Sequence, residues 1–364
     1  MQPLHIAVAG LGVIGREHVR VIQANPNCVL SAVVDPSPAA QQMAHSMNVP
    51  CFATLQELLH SAALPHTAGA QHTDAQHSLD GVILATPNAL HVEQALACIA
   101  QGVAVLVEKP IATTVQEAQA LVDATQVPHK GAGQAKVLIG HHRAHSPLMA
   151  QAKAVVDSGR LGRLVSIVGT ALFYKPDSYF DEAPWRKQAG GGPILINLIH
   201  EIHNLRMLCG DVVQVQAMSS NAVRGHAVED TAAINFRFAN GALGTFMLSD
   251  CAASARSWEQ TSQENKAYSS YDDEDCYLIA GTHGSLAVPT LRLKTYANAA
   301  ERSWFKPFES SRLDVQRDDP LVRQLAHFLQ VIRGEAQPIV SARDGLENLK
   351  VVESIAKALQ APQL

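Results

Sequence analysis

A chain of 364 residues exceeds the roughly 250 to 300 at which one hydrophobic core stops growing, so two domains are expected. With 47% hydrophobic and 17% charged residues it is globular, and a net charge of -5 without any block of Lys or Arg argues against nucleic acid or an anionic membrane as partner. No apolar run reaches the length of a membrane span and the chain enters its first strand without a signal-like segment, so a soluble cytoplasmic protein is expected. Cys28, Cys51, Cys98, Cys209, Cys251 and Cys276 are scattered without a C-x-x-C pair, which fits free thiols in a reducing compartment.

Up to residue 140 short apolar runs alternate with helix-length amphipathic segments, the pattern of a doubly wound parallel sheet in an α/β protein. Strands are predicted at 4–9, 30–35, 81–85, 103–107 and 136–140, and helices near 14–24, 37–47, 54–60, 89–101 and 114–125. The histidine-bearing tract from Pro65 to His77 is small, polar and aperiodic, and is expected to be a surface insertion. After Gly140 the spacing predicts a helix at 147–158, a strand at 163–173, a loop rich in aromatics and charge, and a helix over 192–208. Strands then follow at 211–222, 229–238, 242–250, 276–281, 284–288 and 291–295, with turn signals such as Asn240-Gly241 and His283-Gly284. These predict a large, open, mostly antiparallel sheet. Residues 259–275 read as a long polar loop, with Trp258 and Glu259 as weaker guesses for a lid, and 320–333 and 343–360 as amphipathic helices. Domains are thus expected at 1–140 and 141–340, with 341–364 a terminal helix packing back on the first domain.

The chemistry lies in motifs at the ends of these elements. Gly10, Gly12 and Gly15 follow the first apolar strand in a G-x-G-x-x-G spacing, with Val13 and Ile14 opening the next helix. Gly10 permits the tight turn, Gly12 the approach of a pyrophosphate, and Gly15 close helix–strand packing. The helix N-terminus supplies free N–H groups to the phosphates. Asp35, twenty residues after Gly15, sits where a carboxylate accepts both adenosine ribose hydroxyls, and no Lys or Arg between Pro36 and Met43 offsets a 2′-phosphate. NAD is therefore expected in preference to NADP. Thr86, Pro87, Asn88 and His91 follow the third strand of this pattern, and Glu108-Lys109-Pro110 ends the next. Ligands of open α/β sheets bind beyond such strand ends. A lysine there can hold a hydroxyl that loses hydride and stabilise the developing oxyanion. A cis bond before Pro110 is expected to aim it. Gly190, Gly191 and Gly192 lead into an apolar helix carrying Asn197, His200, Glu201 and His203, and a histidine can move a proton near neutral pH. His200 and His203 without a third ligand do not make a metal site, so none is expected.

Taken together, Gly10-x-Gly12-x-x-Gly15, Thr86-Pro87-Asn88-x-x-His91, Glu108-Lys109-Pro110 and the glycine-rich entry to the His200 helix closely resemble the glucose-fructose oxidoreductase, inositol dehydrogenase and rhizopine-catabolism (Gfo/Idh/MocA) family over nearly the whole chain. The resemblance implies an NAD-binding domain followed by a substrate-binding domain whose open sheet makes a homodimer or homotetramer. It also implies hydride transfer between nicotinamide and a secondary alcohol or ketone, with Lys109 and His200 beside the reacting carbon. Many family members carry an Asp four residues before the catalytic His, where this chain has Ile196, so proton transfer falls to His200 or Lys109 directly. Arg143, Arg186, Trp185, Tyr174 and Asn197 are the expected substrate contacts, the arginines for a carboxylate and the aromatics for a ring. Two substrate classes stay open, sugars or cyclic polyols and carboxylated cis-dihydrodiols, alongside two rival functions: an NAD-dependent glycosidase using transient oxidation, and a non-catalytic NAD-binding sensor.

Overall fold

In the computed structural model, which describes residues 2–63, 79–127 and 134–360, the chain divides into two compact units. The first comprises Met1–His142 with Leu321–Leu349, the second Arg143–Pro320 with Lys350–Leu364. The insertion expected at 65–77 lies outside the described residues.

The first unit runs β1 (Leu4–Ala9), α1 (Val13–Gln23), β2 (Cys28–Val34), α2 (Pro38–Ser46), β3 (Cys51–Phe52), α3 (Leu55–Ala63), β4 (Gly81–Leu84), α4 (His91–Ala100), β5 (Ala104–Glu108), α5 (Val115–Gln126) and β6 (Val137–Gly140). Its six strands lie in the order β3-β2-β1-β4-β5-β6, every pair parallel. This is the strand order of dinucleotide-binding sheets, with the reversal of direction between β1 and β4. Strands β4, β5 and β6 are buried along their whole length, which is why they are continuous apolar runs without alternation. Local signals start the helices: Ser37 caps α2 by accepting from Ala40 N at 3.3 Å, and Thr114 with Glu117 forms a capping box on α5.

The second unit contains α6 (Pro147–Asp157), β7 (Leu164–Leu172), α7 (Asp177–Asp181), α8 (Ile199–Cys209), β8 (Val212–Ser220), β9 (Thr231–Phe238), β10 (Leu243–Ser249), α9 (Trp258–Ser262), β11 (Tyr277–Gly281), β12 (Gly284–Val288), β13 (Arg292–Thr295) and β14 (Glu309–Arg312). The sheet order is β14-β13-β12-β11-β7-β10-β9-β8, antiparallel except for the β7–β10 pair. Alternation along β9 and β10 sends Ile234, Phe236, Phe246 and Leu248 into a core shared with Leu148, Met149, Ile199, Ile202 and Leu205 of α6 and α8. The opposite face leaves Val168, Leu243, Met247 and Leu278 exposed.

Two helices complete the chain, α10 (Pro320–Arg333) and α11 (Ala342–Gln360). The sequence-based boundary assigned 141–340 to the second domain, but residues 321–349 belong to the first unit. The reason is packing: a Cβ on Gly81 would meet Ile332 Cδ1 at 2.9 Å and Phe328 at 3.1 Å, so the glycine admits α10 against the parallel sheet. Ile139 N donates to Val340 O at 3.0 Å, and Gly345 of α11 lies against Ile111 and Ile139. From Lys350 onward α11 belongs to the second unit, whose core takes Val351, Val352 and Ile355. The helix predicted over 192–208 opens instead with a π-helical turn at Ile194–Leu198, and neither the two-residue β3 nor the exposed edge strand β14 was anticipated.

Candidate active site

In the first unit the predicted cofactor residues gather at the carboxyl ends of β1, β2, β4 and β5. Gly10 has φ 88, and a Cβ there would lie 2.4 Å from Ala85 O, while one on Gly15 would lie 1.8 Å from Gly10 O. Both positions exclude any side chain for reasons internal to the fold. Gly12 differs: a Cβ there meets nothing within 4 Å. Its glycine leaves open space at the start of α1, a helix with no side-chain cap and no acidic residue in its first turn. Such an end presents open N–H donors and a positive dipole, the complement of a pyrophosphate. Asp35 accepts from Leu11 N at 2.8 Å and Ser37 N at 2.9 Å. Burial opposes its ionisation, but these bonds hold its carboxyl below the usual range, so it stays an acceptor for ribose hydroxyls. The residues present fit NAD.

The two other motifs of this unit split into exposed groups and struts. Pro87 and Asn88 are exposed, and Thr86 donates its hydroxyl to Gln94 Oε1 at 2.7 Å. His91, expected at the cofactor, is 1% exposed, its ring nitrogens 2.8 Å from Pro110 O and 2.9 Å from Thr86 O. It ties the β4 loop to the β5 loop. Glu108 is also corrected: its carboxylate is buried, 2.8 Å from His18 Nε2, and accepts from Lys109 N at 3.1 Å. Burial pushes that carboxyl up, but the bond and charge of His18, with Lys109 beside it, hold it below its ordinary value. Gly140 makes room for the carboxylate, since a Cβ there would lie 2.9 Å from Glu108 Cδ. Lys109 itself is half-buried, and the Lys109–Pro110 bond is cis as expected.

In the second unit the glycine-rich segment has specific causes. A Cβ on Gly191 would meet Trp185 O at 2.5 Å, and one on Gly192 would meet Glu229 Oε1 at 2.3 Å. Glu229 occupies that space and accepts from Ile194 N at 2.9 Å, fixing the start of the π turn. Burial pushes its carboxyl up. The turn presents Asn197, whose Oδ1 accepts from Lys175 Nζ at 2.8 Å. Lys175 is buried, 3.7 Å from Asp250 Oδ2 and 4.7 Å from the centre of the Tyr179 ring. Desolvation lowers its ammonium to about 8 against the pull of Asp250. His200, one turn along on α8, is 8% exposed. π turns of this kind recur at functional sites.

The expected substrate contacts fare unevenly. Arg143 is corrected: it is buried, with Nη1 2.5 Å from Glu201 Oε1 and Nη2 hydrogen-bonded to Glu259. The cost of burying the guanidinium is offset by the two carboxylates, which keep it charged, and it is spent on them rather than open to a substrate. Burial pushes Glu201 up despite Arg143, and the Tyr277 hydroxyl donates to it. Trp258 is no lid: it is 3% exposed and stacks on Tyr277 at 5.9 Å. Arg186 lies 3.8 Å over the Tyr179 ring and donates to Tyr179 O at 2.5 Å, and Trp185 and Tyr174 stay exposed. Arg224, which no motif marked, bonds Asp250 Oδ1 at 2.8 Å and Lys175 O at 2.8 Å, and stacks on Phe180 and Tyr174. Its signal in the sequence was only an arginine between two strands.

A parallel sheet of this order with a glycine turn at its switch point, followed by a mostly antiparallel second sheet, defines a two-domain NAD-binding oxidoreductase. Residues 4–130 match the model described as an oxidoreductase family with an NAD-binding Rossmann fold, and residues 149–287 match the GFO/IDH/MocA C-terminal domain. The chain is 28% identical over 295 residues to 1,5-anhydro-D-fructose reductase of Ensifer adhaerens, covering 78% of this chain and 79% of that one. Among solved structures it resembles an oxidoreductase from Agrobacterium radiobacter in complex with NAD+, L-tartaric acid and magnesium (TM-score 0.77, 16% identity, 100% and 98% coverage). It also resembles the WlbA dehydrogenase from Bordetella pertussis in complex with NADH and UDP-GlcNAcA (TM-score 0.71, 21% identity, 99% and 97% coverage). The chain belongs to the Gfo/Idh/MocA family of NAD-binding oxidoreductases.

Proposed function

We propose that the protein is an NAD-dependent dehydrogenase oxidising a secondary alcohol of a sugar or cyclic polyol. NAD, when bound, supplies the hydride acceptor. Lys109 Nζ donates a hydrogen bond to the substrate oxygen, holding the hydroxyl and stabilising negative charge as it develops. A ring nitrogen of His200 takes the hydroxyl proton, and Asn197 and Lys175 bind neighbouring substrate oxygens. Lys109 at the end of β5, braced from behind by the Glu108–His18 pair, is the observation that carries this reading. The sugar reductase among the relatives supports the substrate class. The carboxylated dihydrodiol loses its principal anchor because Arg143 is committed to Glu201 and Glu259. The exposed apolar face around Val168, Leu243 and Leu278 supports a homodimer or homotetramer. Six free cysteines suit a reducing cytoplasm.

The test is NADH formation by purified protein against sugars, inositols, sugar acids and aromatic dihydrodiols. Net NADH from a sugar or inositol supports the reading. Turnover of a glycoside without net NADH would replace it by transient-oxidation hydrolysis, and NAD binding without turnover of any substrate by a sensor.

A further inference from the structure

Helix α8, which carries His200, has little in its own pattern to fix how it is turned. Every residue from Ile199 to Leu205 is buried, so no apolar stripe marks one face of this stretch and no polar face the other. The π turn at Ile194–Leu198 runs directly into it. Were that wider turn to tighten into α-helix, α8 would slip by one residue, a rotation of about 100° and a shift of about 1.5 Å.

Two side chains from outside the helix oppose that slip. The Tyr277 hydroxyl donates to Glu201 Oε2 and accepts from Asn204 Nδ2 at 2.9 Å, so one oxygen joins two residues that stand one turn apart on the same face of α8. Arg143 Nη1 bonds the other carboxylate oxygen, Glu201 Oε1, at 2.5 Å. Tyr277 is itself held by the sheet. It opens β11, paired with Val288 of β12 on one side and Gly169 of β7 on the other. It is 1% exposed, stacks on Trp258, and lies where a Cβ on Gly169 would come within 3.3 Å of its Cδ1. Asn204 is fully buried, and its amide oxygen finds no hydrogen-bond partner among the described residues, so the bond to Tyr277 is its side chain's tie to the sheet.

We propose that the Tyr277 hydroxyl is the positioning group of this active site, fixing the register of α8 behind the π turn and so aiming the His200 ring. Its bearing on the reaction rests on His200 being the proton acceptor proposed above. A slip of one residue would carry the imidazole off the substrate oxygen, and a misplacement of about 1 Å can cost about 10²-fold in rate. Arg143 does not replace the clamp, because it holds Glu201 alone and shares its guanidinium with Glu259, whereas Tyr277 holds residues on two successive turns.

The experiment compares Tyr277→Phe, Asn204→Ala and His200→Ala in the full chain. Kinetics use the sugar or inositol that gives net NADH, and calorimetry reads NAD binding. NMR of histidine-labelled protein reads the His200 ring signal, assigned by its loss in His200→Ala. Tyr277→Phe is expected to lower kcat about 10²-fold with KM little changed, to keep the parental NAD affinity, and to move the His200 signal. Asn204→Ala should do the same to a smaller degree, and it decides if Tyr277→Phe does not fold. A lower Tm with parental kcat and an unmoved His200 signal overturns the proposal, since a purely structural bond would show no more than that. Parental kcat in His200→Ala would instead withdraw the catalytic reading, and the His200 signal then decides alone whether Tyr277 sets the register.

Discussion

Replacing Gly12 by alanine should separate cofactor binding from folding. The backbone at Gly12, φ -64 and ψ -166, is accessible to any residue, and the new Cβ meets no protein atom within 4 Å. Removing glycine freedom from the unfolded chain stabilises a compatible site by about 0.4–1 kcal/mol, so apo Gly12→Ala should melt at or slightly above the parent. The added methyl nevertheless fills the space left for the pyrophosphate, at a cost typical of overpacking, about 1–3 kcal/mol. That is roughly five- to over a hundredfold in Kd for NAD. Gly15→Ala is the contrast, because its Cβ would lie 1.8 Å from a backbone carbonyl and the fold itself should fail. Differential scanning fluorimetry without cofactor and calorimetric titration with NAD measure both. Parental NAD affinity in Gly12→Ala would refute the assignment of that space to the cofactor.

Lys109→Met should lower kcat about 10²–10⁴-fold with NAD affinity retained, and an unchanged kcat in steady-state assays would remove its role. Glu108→Gln breaks a buried pair and should cost about 3–5 kcal/mol in chemical denaturation. Since folding lowers the Glu108 pKa, its stabilisation is complete above the ordinary carboxyl range and fades as pH falls through the lowered value, so the parent's advantage over Glu108→Gln should shrink in acid. Lys175 gives the same sign of slope in an alkaline window: its folded value near 8 lies below its unfolded one, so the unfolded chain binds the extra proton above pH 8. Stability of the parent relative to Lys175→Met should rise between pH 8 and 10, and a flat difference across that range would contradict the buried ammonium.

The fold was largely legible because parallel strands buried on both faces are continuous apolar runs and the antiparallel strands alternate. What pattern could not reach was long-range pairing. His18 and Glu108 are ninety residues apart, and neither's neighbours announce the other. The motif positions marked the β4 and β5 loops correctly, yet His91 and Glu108 serve those loops from beneath, a distinction that only burial makes. Arg143 reads as a free cation until Glu201 and Glu259 are seen around it, and α10 reads as part of the second domain until Gly81 is seen to receive it. Lys175 lay in a segment read as a charged loop, and its desolvation depends on Tyr179, Asn197 and Asp250, which come from three other elements.

The bond from Lys175 Nζ to Asn197 Oδ1 puts the titration of Lys175 under the influence of a single atom. Exchanging the amide nitrogen of Asn197 for oxygen, as in Asn197→Asp, leaves shape and volume unchanged but sets a carboxylate beside a desolvated ammonium. An opposite charge at that range favours the protonated lysine, so its titration should climb from about 8 toward the ordinary lysine value.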